Sequence, residues 1–277
     1  MEVRRLELKS SWLVISCGCR RSVICAIKAF LFCMPLLLAS LESHAACELG
    51  VSVERTDVSA RQDIVGKAHD SKTGELLYIE EHGPRIGARQ TIIYREKNGE
   101  SFAEKNLDFS VSERAPSLIQ LNNLVGEKIV VEVSADKGIK ASYRENREAK
   151  TKTKSLSSET LPIVDAGFDN VLRDQWQQLI GGERLEFDYF VPSRLSTVAL
   201  RAEAVSCEVQ DSICFKVSPA NWLVRALIKP LNLTYDASCQ RLVRFVGTSN
   251  IADAEGNYQF VDIHYEYLDT PFVSQQL

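Results

Sequence analysis

The sequence predicts a mainly β (α+β) fold: an antiparallel meander forming a curved sheet or half-barrel, with two short packing helices. Three observations lead there. Polar–apolar runs are joined by short turn sequences, only two stretches have helical periodicity, and the long crossovers that parallel strands need are missing. The 277 residues are 45% hydrophobic and 25% charged, a globular balance without the signature of disorder.

Residues 1–45 differ from the rest. Arg20, Arg21 and Lys28 precede the apolar run AFLFCMPLLLASL at 29–41, and ESHAAC follows. A charged n-region, a short apolar h-region and small residues before the cut mark a secretory signal. Ser43 and Ala45 take the −3 and −1 positions, so cleavage is expected between Ala45 and Ala46, giving a periplasmic protein. Two alternatives stand beside this. Segment 23–41 is just long enough to remain as an N-terminal anchor, although Lys28 and Pro35 oppose it. Cys47 is a lipidation candidate, although His44 stands where such a signal prefers an aliphatic residue.

No transmembrane span is expected in the mature chain. Without residues 1–45 it carries 27 basic and 34 acidic residues, a formal charge of −7. That balance lacks the basic footprint of a nucleic-acid binder, so no nucleic-acid partner is expected. Residues 46–143 read as a β-hairpin region, 144–160 as a charged linker or extended hairpin, and 161–277 as an α+β region. The two halves are expected to form one continuous β-rich domain.

In the first half, DIVGKAHDSKTGELLYIEEHG places two strands around Ser71–Gly74. QTIIYREKNGESFAEKNLDF repeats the plan around Asn98-Gly99, the strongest short hairpin signal. EKIVVEVSADKGIKASYRE turns at Asp136-Lys137-Gly138. The run 144–160 then holds Arg144, Arg147, Lys150, Lys152 and Lys154, cations able to meet phosphate but interleaved with Glu145 and Glu148, as on a solvated face.

The stretch LPIVDAGFDNVLRDQWQQLIGG at 161–182 reads as the first helix. Asp165 is the expected N-cap, and Phe168, Val171, Leu172, Trp176, Leu179 and Ile180 fall on one face. Gly181-Gly182 supplies a left-handed stop. Asp169 sits in the first turn, four residues before Arg173, so the acids have structural work. No His or Cys accompanies them as an acid–base partner, which favours a packing helix over a catalytic site. A hairpin then turns at Pro192-Ser193, and SPANWLVRALIKP reads as a second helix capped by Ser218 and stopped by Pro230. Two further strand pairs close the chain.

The four cysteines of the mature chain are Cys47, Cys207, Cys214 and Cys239. A tight turn at Gln210-Asp211 places Cys207 opposite Cys214 at a bridging separation. Cys47–Cys239 is then the second bond, with a zinc site the weaker alternative.

Chemistry is thinly signalled. Asp262, His264 and Glu266 alternate onto one strand face and could hold a divalent cation, but a half-buried strand with a wet side has the same pattern. Glu80 and His82 of IEEHG are candidate additions, and DAEGN at 253–257 reads as a hairpin turn. No G-x-S-x-G elbow, phosphate loop, G-x-G-x-x-G or H-E-x-x-H is present, and no cofactor is expected. In NWLVRALIK at 221–229, Asn221, Arg225 and Lys229 form a narrow polar stripe, and Trp222, Leu223 and Leu227 belong to a wide apolar arc. The preferred reading is a helix buried on two sides. The sharper one puts Trp222, Leu223, Leu227, Arg225 and Lys229 at a ligand or membrane contact.

DAGFDNVLRDQW, LEFDYFVPSR and LVRFVGTSNIADAEGNYQFVDIHYEY resemble a group of uncharacterised exported proteins of Gram-negative bacteria. The paired VGTSNI and IHYEY strands are similar to periplasmic domains built as a curved sheet around helices, with the lipoprotein-carrier half-barrel the best-known relative by shape. The resemblance implies an apolar groove and carries over no catalytic residues. The expected function is therefore a non-enzymatic exported protein binding an apolar or lipid-like ligand, or an envelope protein. The alternative is a metal-assisted hydrolase on the Asp262–His264–Glu266 face.

Overall fold

Eight strands run up and down in chain order through the first half: β1 (Gln62–Asp70), β2 (Leu76–His82), β3 (Arg89–Arg95), β4 (Ser101–Asp108), β5 (Ser117–Asn122), β6 (Glu127–Val133), β7 (Gly138–Arg144) and β8 (Lys152–Ser157). The second half adds β9 (Ile163–Val164), helices α1 (Gly167–Asp174) and α2 (Trp176–Ile180), then β10 (Leu185–Val191), β11 (Ser196–Val205) and β12 (Ser212–Pro219). Helix α3, described over Trp222–Arg225, is followed by β13 (Leu231–Asp236), β14 (Leu242–Ala252) and β15 (Tyr258–Asp269). The computed structural model describes residues 62–136, 138–225 and 229–269. All of them lie within one compact unit, 44–277.

The fifteen strands form one sheet, ordered β8-β7-β6-β5-β4-β3-β2-β1-β15-β14-β13-β12-β11-β10-β9. Each neighbouring pair is antiparallel except β9 with β10, which is parallel. The halves are joined by the ladder of β1 on β15, from Gln62↔Asp269 to Asp70↔Val261. No ladder joins β8 to β9 among the described residues, so the sheet is open.

Local chemistry sets the hairpins. Asp70 Oδ1 accepts the N–H groups of Lys72 and Thr73 before Gly74 turns at φ 74°. Asn98 Oδ1 accepts the Glu100 N–H, and Gly99 takes φ 89°. Asp253 Oδ1 accepts from Glu255 and Asn257, making DAEGN the β14–β15 turn. The Gln210-Asp211 turn carries the Cys207–Cys214 disulfide, with Cα atoms 5.2 Å apart. Cys214 faces Val205 in the ladder, so Cys207 reaches it from just beyond the strand end. Cys239 is disulfide-bonded, and Cys47 lies outside the described residues, as do the signal segment and the Ala45–Ala46 junction.

Two apolar clusters lie on the sheet. One gathers inward side chains of β1–β7 with Phe190, Leu195, Ile251, Val261 and Ile263. The other packs Val171, Leu172, Trp176 and Leu179 of α1 and α2 on Phe187, Phe215, Val217, Leu233 and Tyr235. Phe245 touches both.

Several expectations need correction. The helix at 161–182 is two short helices that meet at Gln175. Asp165 is not its N-cap: Ala166 takes that place without a side-chain bond, and Asp165 stands at φ 42° with its carboxylate held by Lys105. Ile180 is exposed, because the break turns it away from the strip that buries Leu179. Ser218 and Pro219 end strand β12 and do not start a helix, and Asn221 Oδ1 accepts the Leu223 N–H. The charged run 144–160 needs no such correction: it contains edge strand β8, paired with β7.

Candidate functional site

The alternation on β15 puts Val261 and Ile263 inward and leaves Asp262, His264 and Glu266 on the outer face. Cross-strand register adds His69 opposite Asp262 and Lys67 opposite His264. Each carboxylate is already engaged. Arg244 grips Asp262 through two bonds of 2.8 and 2.6 Å, His264 Nε2 lies 3.2 Å from the same group, and Lys67 pairs with Glu266 at 2.8 Å. Burial raises the Asp262 carboxyl, but Arg244, His264 and His69 outweigh it and hold the pKa below the usual 3.8. The His69 and His264 rings meet edge to face at 6.0 Å. Among the described residues no three His, Cys, Asp or Glu side chains converge as a metal site. Glu80 and His82 do not join this face. Glu80 aligns with Gly66 and through it with Tyr265, on the inward side.

The inward side also carries buried polar residues, a residue type more often found at the surface. Lys105 of β4 is 0% exposed, and its ammonium donates to Asp165 Oδ2 at 2.7 Å. The Lys105 ammonium also lies 5.9 Å from the Tyr94 ring centre. Glu80 accepts from Tyr265 Oη at 3.2 Å and lies 3.0 Å from His82 Nε2. Gln120 and Asn122 of β5 donate to the carbonyls of Asn250 and Ala252 at 3.0 and 2.8 Å, tying β5 to the far side of the core. Glu127 is 2% exposed. Tyr258 Oη donates to its Oε1, while Oε2 has no partner. These polar groups are buried on the inward face.

Burial raises the Glu127 carboxyl above its usual 4.5, against the Tyr258 hydrogen bond that lowers it. The folded state therefore holds this proton more tightly than the unfolded chain. Its contribution is full below about pH 4.5 and is lost as pH rises through the folded value. Glu127→Gln removes that dependence. The difference in melting temperature, variant minus parent, is expected to climb from pH 4 upward and then level off. A difference that stays flat from pH 4 to 8 removes the buried-acid account.

At the start of the segment 221–229 the side chains are exposed rather than buried. Trp222 is 71% exposed and Leu223 is 57% exposed, side by side at the start of helix α3. A helix buried on two sides is thus overturned for these two residues, which face solvent. Lys229 Nζ lies 4.6 Å over the Phe260 ring. Leu227 is outside the described residues, as is the side chain of Arg225. No described helix is long and apolar enough to cross a membrane.

No protein-family model matches the chain, and no curated protein does. Among solved structures the chain is similar to the crystal structure of a beta-barrel-like protein of the domain of unknown function DUF1849 from Brucella abortus. That likeness has a TM-score of 0.48 and 6% sequence identity, and covers 76% of this chain and 96% of that one.

Proposed function

We propose that the chain is an exported, non-enzymatic envelope protein that docks on a lipid surface through Trp222 and Leu223. One observation carries this: Trp222 is the most exposed large hydrophobic side chain among the described residues, and Leu223 stands next to it. An indole beside an aliphatic side chain, with a lysine within reach of headgroups, is the composition of an interfacial anchor. Fully burying two such side chains yields roughly 3–6 kcal/mol, so the contact is weak and reversible.

Chain arithmetic supports a sheet bent round its inward face. Ser157 ends β8 at one edge and Ile163 begins β9 at the other. The link between them spans at most about 20 Å extended. Fifteen strands laid flat would separate those edges by roughly 67 Å. The inward face is filled by the chain's own tyrosines and polar pairs, so the lipid contact belongs on the outside. The hydrolase alternative draws no support, because Asp262 and Glu266 are ion-paired and no metal grouping forms among the described residues.

The test is tryptophan emission of the mature chain carrying Trp176→Phe, titrated with phosphatidylethanolamine/phosphatidylglycerol vesicles. A blue shift is expected, with vesicle co-flotation reduced at least tenfold in Leu223→Asp. Unchanged emission at saturating lipid, or flotation indifferent to Leu223→Asp, overturns the proposal.

A further inference from the structure

We propose that β8 is a docking edge for an extended acidic segment of another protein, which adds to the sheet as a further strand. β8 ends the sheet order and is laddered only to β7. Its residues are exposed except for Leu156, which is half-buried. Every second residue of an edge strand points its N–H and C=O away from the sheet, a ready template for another chain.

The side chains choose the occupant. Lys152 and Lys154 project to one face, and Lys150 continues the row. None of the three takes part in an ion pair among the described residues. The neighbouring cations are committed: Arg144 donates to the Gly126 carbonyl, Arg147 to those of Leu124 and Asn123, and Lys140 pairs with Glu132. On the other face Thr151 and Thr153, with Val130, Lys140 and Ser142, line a shallow depression of about 260 Å³. An added strand would bond its main chain to β8, set carboxylates against the lysine row, and lay small side chains beside the threonines.

A second copy of this chain does not fit. Antiparallel self-pairing centred on Thr153 would set Lys152 opposite Lys154 twice, and like charges directly opposed are destabilising. The lysines that guard the edge against self-association are the groups that select an acidic strand.

Fluorescence anisotropy of the mature protein with a labelled eight-residue peptide alternating glutamate and valine tests this. Binding in the micromolar range is expected, weakening with salt. It should fall at least tenfold for the same peptide with a central proline, and for the Lys152→Glu/Lys154→Glu variant. Both lysines are exposed, so an unchanged melting temperature will show that the variant is folded. Amides of β8 should gain protection from hydrogen exchange when peptide is bound. Equal binding of the proline peptide would reduce the edge to a charge patch, and absence of binding at millimolar peptide leaves it a guarded edge only. Anionic vesicles that lose affinity for the variant, without peptide binding, would assign the lysines to a membrane instead. All three results overturn the proposal. Trp222 is intact in every sample, so lipid docking and strand docking fail independently.

Discussion

Lys105→Met is expected to destabilise the fold by about 3–5 kcal/mol, the range for breaking one half of a buried ion pair. Lys105 is fully buried on β4, and its 2.7 Å bond to Asp165 closes a contact between residues 60 positions apart. Removing the ammonium leaves the Asp165 carboxylate, 13% exposed, without its counter-charge. Asp165→Asn strands the lysine in turn, yet suits the local backbone, since asparagine tolerates the left-handed conformation Asp165 adopts at φ 42°. The double variant should lose much less than the two single losses added together, because neither charge is then left alone. Urea melts of the four proteins give the coupling energy. A Lys105→Met loss below about 1 kcal/mol, or strictly additive losses, removes the pair from the account of stability.

The same residue shows where sequence reasoning stops. Turns were legible because their chemistry is local: Asp70, Asn98 and Asp253 each bond backbone groups within a few residues. Strand β5 was not. In SLIQLN, Gln120 and Asn122 point inward while Ile119 and Leu121 lie exposed, the reverse of the usual alternation. The inversion is stable because carbonyls of Asn250 and Ala252, 130 positions away, accept the two amides. Lys105 reads as a surface residue for the same reason, since its partner is remote. Pairing of β1 with β15 joins the two ends of the described chain and has no local signature at all. At 221–229, composition identified Trp222 and Leu223 as contact candidates. Their exposure is not foretold by the apolar periodicity of NWLVRALIK, whose wide arc reads as a buried helix.

Trp176→Ala is the second change expected to cost about 3–5 kcal/mol. The indole is 5% exposed and meets Phe215 and Tyr235 edge to face, with ring centres 5.2 and 5.5 Å away. Each such aromatic pair is worth about 0.5–1.5 kcal/mol beyond area burial, so the loss exceeds that of an aliphatic side chain of equal exposure. The effect also spreads through hydrogen bonding. Tyr235 Oη donates to Asp169 Oδ1 at 2.9 Å, and Asp169 pairs with Arg173 at 2.7 Å, so the rings and the first turn of α1 form one assembly. Burial raises the Asp169 carboxyl, against the opposing pulls of Arg173 and Tyr235, which keeps its charge dependent on those two partners. Asp165 and Asp169 therefore tie this segment to the sheet, and their replacement should change stability without changing vesicle flotation. Trp176→Phe keeps an aromatic body in the cluster and is expected to cost less than Trp176→Ala, which is why it serves as the background for the Trp222 experiment. Thermal melts followed by near-ultraviolet circular dichroism will rank the two variants. If Trp176→Ala melts within 2 °C of the parent, α1 and α2 are ornaments on the sheet rather than part of its core.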